Sequence, residues 1–158
     1  MLKKFIVSML IVLFAFTAFA SDKPDPITAA MKKFVKAQKE AAPKIDAATL
    51  KAWMDEKKDF LLLDIRTGKE RGAVYIPADK EAYFPRGVVE FYFTKKHKDP
   101  NELIVVYCKA GARGAIVTNR LIEFGYTNVV NLTGGIKAWM KAGYELENMM
   151  GTFTEVQF

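Results

Sequence analysis

Three short, almost uninterrupted apolar runs dictate what this chain can fold into: FLLLDI at residues 60–65, LIVVY at 103–107 and NVVNL at 128–132. None shows the alternation of a strand with one wet face, so each predicts a strand covered on both sides. After the second and third runs the pattern changes to helical spacing. AIVTNRLIEF places Val117, Leu121 and Phe124 on one face and stops at Gly125; IKAWMKA groups Ile136, Trp139 and Met140 and stops at Gly143. Buried strands alternating with helices predict an α/β fold in three layers, a parallel sheet with helices on both faces and right-handed crossovers.

Upstream, Asp46 predicts an N-cap for AATLKAWMDEKK, with Leu50, Trp53 and Met54 as its buried stripe and Ile45 as the apolar residue before the cap. Residues 28–40 bring Ile27, Ala30, Met31, Phe34 and Val35 into helical register, with Lys32, Lys33, Lys36 and Lys39 mostly on other faces. Pro43 disfavours helical geometry at Ala42, so this amphipathic helix is a separate element. Its lysines read as a solvated face. Residues 72–101, broken by prolines at 77, 85 and 100, predict mostly loop with a short helix or strand near VVEFYF.

The chain opens with MLKKFIVSMLIVLFAFTAFA, in which two lysines precede an apolar run and alanines stand at 18 and 20. This is the pattern of a secretory signal peptide over residues 1–20. The run is too short for a span of roughly 20 apolar residues and is followed by the breakers in SDKPDP, so no stable membrane insertion is expected after cleavage. The expectation is a periplasmic or secreted protein. Its parts would be a helical extension at 21–43, one compact domain at 44–148 and a tail at 149–158. The net charge of +6 loses two lysines and no acid with that segment, leaving +4, a mild excess that does not point to nucleic acid.

Cys108 is the sole cysteine, so no disulfide can form within the chain. In an exported protein such a thiol is either an inert core residue or one kept for its chemistry. Its setting is YCKAGARG, at the end of the second apolar run. In open α/β sheets sites lie beyond the carboxyl ends of strands. Ala110, Gly111, Ala112 and Gly114 are small enough for backbone N–H groups to converge on a bound anion at a helix start near Gly114. Lys109 and Arg113 stand close by, and cations beside a cysteine favour the thiolate, which is the nucleophile. A second strand end, DIR, presents Asp64 and Arg66 and would share a crevice with the first if their strands are neighbours.

No general base accompanies Cys108. The single histidine, His97, lies in TKKHKDP and reads as a solvated surface residue. That suits a reaction at sulfur, where an ionised thiolate attacks and the leaving group departs as a stable anion. One cysteine and one histidine make no metal-ligand set, and no cofactor is called for.

Taken together, FLLLDIRTGKER with its Asp-x-Arg and Glu70, FPRGVVEF, LIVVYCKAGARG and FGYTNVVNLTGGIKAWMKAG resemble, in order, the rhodanese domains through most of residues 45–146. The resemblance implies a rhodanese-like fold and a sulfurtransferase. Cys108 would take the outer sulfur of a small anionic donor such as thiosulfate, become a persulfide, and pass the sulfur to cyanide, a thiol or a sulfur-relay protein. It implies that Lys109, Ala110, Gly111, Ala112, Arg113 and Gly114 hold the persulfide and donor, and that Asp64 and Arg66 support the loop. Two departures stand out: Tyr75-Ile76-Pro77 where His-Ile-Pro is common, followed by the insertion-like ADKEAY, and Gly114 where a serine often follows the arginine.

Two other functions fit the same residues. Phosphatases and arsenate reductases of related fold close a cysteine loop with arginine, but their loops are one residue longer than the six from Cys108 to Arg113. A sulfur-binding or sensing module would keep the fold without turnover.

Overall fold

The computed structural model describes residues 25–154. The expected signal peptide lies outside the described residues. At the centre is a five-stranded, wholly parallel sheet in the order β1-β5-β4-β2-β3, formed by Lys44–Ile45 (β1), Leu61–Asp64 (β2), Glu81–Tyr83 (β3), Ile104–Tyr107 (β4) and Val129–Leu132 (β5). Every residue of β2 and β4 is buried, as apolar runs without alternation require. These two strands are neighbours, and their register sets Asp64 opposite Tyr107. The polar residues that follow both strands therefore emerge side by side at one end of the sheet.

The alternation along each strand feeds two cores. On one face Leu62, Val105, Tyr107 and Leu132 meet helix α2 (Ala47–Asp55) and helix α6 (Gly135–Lys141) through Leu50, Ile136 and Trp139. On the other, Leu61, Leu63, Ile104, Val106 and Cys108 meet α4 (Val89–Lys96) and α5 (Ala112–Glu123) through Val89, Phe93, Val117 and Leu121. Helix α1 (Pro26–Ala41) lies along the outside of α5, where the Asn119 amide donates to the Gln38 carbonyl and side chain at 3.0 and 2.8 Å. A short helix α3 (Gly68–Ala73) follows β2. A hairpin of β6 (Leu146–Asn148) and β7 (Gly151–Phe153) closes the first core, with Leu146 fully buried and Glu147 bridged to Tyr75.

After β2, Thr67 caps helix α3: its hydroxyl accepts the Glu70 N–H while the Glu70 carboxylate accepts the Thr67 N–H, a complete capping box. Several local expectations are revised. In the proline-broken 72–101 region the short element expected near VVEFYF is helix α4, and strand β3 is an addition to it. Phe124 does not join Val117 and Leu121 in the core; it is the C-cap of α5 and half exposed. Ile45 belongs to edge strand β1 as well as preceding the Asp46 cap, whose carboxylate accepts the Thr49 N–H at 2.7 Å. The apolar face of α1 stays largely open, with Ile27 83% exposed. Among the described residues no helix is long and apolar enough to cross a membrane.

Candidate active site

Cys108 follows β4 directly, and the chain then turns through Lys109, Ala110 and Gly111 into α5. Gly111 makes that turn possible: its φ of +86° is left-handed, and a Cβ there would lie 2.9 Å from the Gly134 nitrogen. The thiol is 1% exposed, with its sulfur under the first turn of α5. Its Sγ accepts the N–H of Gly111 at 3.2 Å and the N–H of Gly114 at 3.4 Å. These are two of the amides that a helix start leaves without intrahelical partners, so negative charge on the sulfur, or on a second sulfur attached to it, meets donors already in place. Helix α5 begins at Ala112, two residues earlier than expected, which brings Gly114 inside the helix while leaving its N–H on the sulfur.

The loop is pressed from behind by the Gly134–Gly135 turn that opens α6. The Ile136 N–H donates to the Cys108 carbonyl at 2.9 Å and the Lys137 N–H to the Lys109 carbonyl at 3.1 Å. Lys109 and Ala110 are exposed at the lip, whereas Gly111 and Gly114 are buried. Gly114 has a neighbour of its own. A Cβ at 114 would fall 2.2 Å from the Asn131 Oδ1, which is buried and otherwise without a hydrogen-bond partner. Asn131 thus fills the space a serine side chain would need, a physical reason for glycine at this point in the chain.

Arg113 leans back over the cradle. Its guanidinium makes two hydrogen bonds to Glu70, Nη1 to Oε2 at 2.9 Å and Nη2 to Oε1 at 2.6 Å. Those hydrogen bonds, with help from Thr67, hold the Glu70 carboxyl down at about 2, while the carboxylate raises the Arg113 pKa.

Among the described residues Asp64 and Arg66 make no hydrogen bond or ion pair with residues 109–114. They form a buried ion pair beneath the site, Nη2 to Oδ2 at 2.6 Å and Nε to Oδ1 at 2.9 Å, with both side chains almost wholly shielded from water. Arg66 also donates to the Val74 carbonyl at 2.7 Å and the Glu70 carbonyl at 3.3 Å. The Tyr107 hydroxyl donates to Asp64 Oδ2 at 2.8 Å and accepts the Ile76 N–H at 3.4 Å. Burial, and then the Asp64 carboxylate, push the Tyr107 phenol well above its ordinary value, so it remains a donor. The network reaches the loop by two routes, through Tyr107 to the neighbouring Cys108 and through Glu70 to Arg113.

His97 is not a solvated residue. Its ring stacks on Phe93 at 4.4 Å and its Nδ1 lies 3.2 Å from Glu102. It sits beside the segment that leads into β4, at the opposite end of the strand from Cys108. The polar partners that sequence reasoning did not assign are Tyr107, Asn131 and the Glu70–Arg113 link. Only Glu70 leaves a local trace, the Thr67-x-x-Glu70 capping spacing.

A buried cysteine under a helix N-terminus, at the carboxyl end of a central parallel strand, sits on a three-layer α/β scaffold. The model of the rhodanese-like domain family matches residues 46–142, and the chain belongs to that family. Over 99 residues it is 34% identical to a sulfurtransferase of Allochromatium vinosum, covering 63% of this chain and 89% of that protein. Over 92 residues, 58% of the chain, it is 29% identical to the probable adenylyltransferase/sulfurtransferase MoeZ of Mycobacterium tuberculosis, but spans only 23% of that longer protein. Among solved structures, the polysulfide-sulfur transferase homodimer of Wolinella succinogenes superposes with a TM-score of 0.67 at 27% identity, over 78% of this chain and 90% of that one.

Proposed function

We propose that the protein is a sulfurtransferase that carries sulfane sulfur as a persulfide on Cys108. The observation that carries this reading is the pair of backbone N–H groups, from Gly111 and Gly114, aimed at Sγ beside Arg113. In the first half-reaction the Cys108 thiolate attacks the outer sulfur of the donor, the donor's S–S bond breaks, and its electron pair leaves with the inner fragment, sulfite if the donor is thiosulfate. In the second, the persulfide's outer sulfur is taken by cyanide, giving thiocyanate, or by a thiol, and the Cys108 thiolate is regenerated. Neither half-reaction needs a metal, a cofactor or a general base. The cradle amides hold the charge that develops on sulfur, and the six-residue loop from Cys108 to Arg113 suits a sulfur atom better than a tetrahedral oxyanion.

The roles follow from position. Cys108 is the nucleophile. Gly111 and Gly114 supply donors through their backbones, Lys109 meets an incoming donor at the lip, Arg113 ties the loop to Glu70, and Ala110 and Ala112 keep the lip clear. Asp64 and Arg66 support the loop through Tyr107 and Glu70. The lysine-led apolar run of residues 1–20 supports an exported, periplasmic or secreted, protein. The relationship to MoeZ supports a sulfur-relay protein as a further partner beside the small donor and acceptor.

A donor panel tests the function. Thiosulfate, mercaptopyruvate and a polysulfide are each supplied with cyanide, and an aryl phosphate is run in parallel. Thiocyanate release from at least one sulfur donor is expected. Phosphate release without sulfur transfer would make the protein a phosphatase, and neither activity would leave a binding or sensing module.

A further inference from the structure

Arg113 is one of two cations at the cradle, yet its charge is already matched. Both of its terminal nitrogens are committed to the Glu70 carboxylate at 2.9 and 2.6 Å. Glu70 is itself fixed: Oε2 also accepts the N–H and hydroxyl of Thr67, both at 3.0 Å, and its carbonyl accepts Arg66. This carboxylate is no mobile surface group that a substrate could push aside. It stays ionised at any working pH, because Arg113 holds its carboxyl near 2. The other cation, Lys109, is exposed and has no carboxylate partner among the described residues, so water screens it. With the Cys108 thiolate included, two positive and two negative charges meet at the site.

A cradle of zero net charge gives no electrostatic advantage to a dianion. Thiosulfate arrives with two negative charges and leaves as sulfite with two. An organic hydropersulfide, R–S–S–H, arrives with one or none and leaves as a singly charged thiolate. We infer that Glu70 sets the donor preference of this site: by neutralising Arg113 it disfavours dianionic donors and favours organic hydropersulfides. The inference rests on the sulfurtransferase reading above and names its donor class. The transfer balances without a further reagent. The Cys108 thiolate attacks the outer sulfur, the S–S bond of R–S–S–H breaks, R–S⁻ leaves, and the proton stays on the sulfur now bound to Cys108.

Glu70→Gln isolates the charge, because glutamine keeps the capping position and can still hydrogen-bond Arg113. The readout is kcat/KM for persulfide formation with two donors, thiosulfate and the hydropersulfide of N-acetylcysteine methyl ester. Unmasking one positive charge on the cysteine loop should raise thiosulfate use about tenfold at low salt, mostly through KM, and change hydropersulfide use less than about threefold. Removing Arg113 as well, in Glu70→Gln/Arg113→Ala, should return the donor ratio to near the wild-type value. The wild type supplies an independent measurement: its thiosulfate kcat/KM should change less than about threefold between low and 0.5 M salt. Equal losses for both donors in Glu70→Gln would reduce Glu70 to loop support and overturn the inference. So would a steep salt dependence in the wild type. If neither donor loads Cys108 in any variant, the sulfurtransferase reading itself fails and this inference with it, an outcome distinct from loading with the wrong preference.

Discussion

The close approach of the Gly134–Gly135 turn to the cysteine loop makes Gly135→Ala the most informative single methyl group in the protein. Gly135 has a φ of +59°, and a Cβ built on it would lie 2.2 Å from the Cys108 carbonyl oxygen and 2.9 Å from both the Ala110 nitrogen and the Lys109 carbonyl carbon. All three are backbone atoms, so relief requires moving the loop by about 1 Å, not turning a side chain. Left-handed geometry costs an alanine about 1 kcal/mol. The hydrogen bonds from Ile136 and Lys137 to the loop carbonyls, at 2.9 and 3.1 Å, would be lost with the approach, at about 1 kcal/mol each. A destabilisation of about 3 kcal/mol is expected in urea denaturation. The same movement carries the Gly111 and Gly114 amides off Sγ, so kcat/KM for persulfide formation should fall about 100-fold in protein that is still folded. Gly125→Ala separates strain from contact, since Gly125 has a φ of +99° but nothing within 4 Å of a built Cβ. It should lose about 1 kcal/mol and keep its activity. If Gly135→Ala behaved like Gly125→Ala in both assays, the loop would not be held by the glycine turn, and the positioning argument would be wrong.

Three further outcomes follow from the same geometry. Tyr107→Phe removes one donor from the buried Asp64 carboxylate and should cost about 1–3 kcal/mol by denaturant titration, whereas Asp64→Ala strands the Arg66 guanidinium and should cost about 3–5 kcal/mol. The Glu70 carboxyl, held at about 2 against an ordinary 4.5, contributes stability that is complete above about pH 4.5 and is lost as pH falls toward 2. After allowance for the solvent that reaches both side chains, Arg113→Ala should remove about 1–2 kcal/mol at pH 6 and much less at pH 2.5, as read by urea midpoints. Gly114→Ser should lose about 1–3 kcal/mol through its collision with Asn131, and pairing it with Asn131→Ala should recover most of the loss in thermal denaturation.

The central sheet was legible because its signal is local: β2, β4 and β5 are apolar runs with no alternation, and only buried parallel strands look like that. Asp46 and the glycines ending the later helices were legible for the same reason, each being the cap its position demands. What the sequence concealed depends on distant partners. β1 and β3 are only two and three residues long and owe their extended form to neighbouring strands. α4 was expected near VVEFYF only as a helix or a strand, and the choice is settled by Val89 and Phe93 packing under the sheet. Ile27 and Phe34 give α1 a core-like periodicity, yet the helix rides on α5 through residues such as Gln38 and leaves Ile27 largely, and Phe34 half, in solvent. At the site, Cys108, the small residues and Arg113 are contiguous and could be read directly. The roles of Tyr107, Glu70 and Asn131 could not, because their partners at Asp64, Arg113 and Gly114 lie 43, 43 and 17 positions away in the chain.

The central claim, that Cys108 carries sulfur, is tested most directly by intact mass. The protein, incubated with a sulfane-sulfur donor and freed of excess reagent, should be heavier by one sulfur atom. It should return to its starting mass on addition of cyanide, with one thiocyanate released per protein, and Cys108→Ser should do neither. An unchanged wild-type mass with every donor, or an added sulfur that persists in Cys108→Ser, would contradict the account.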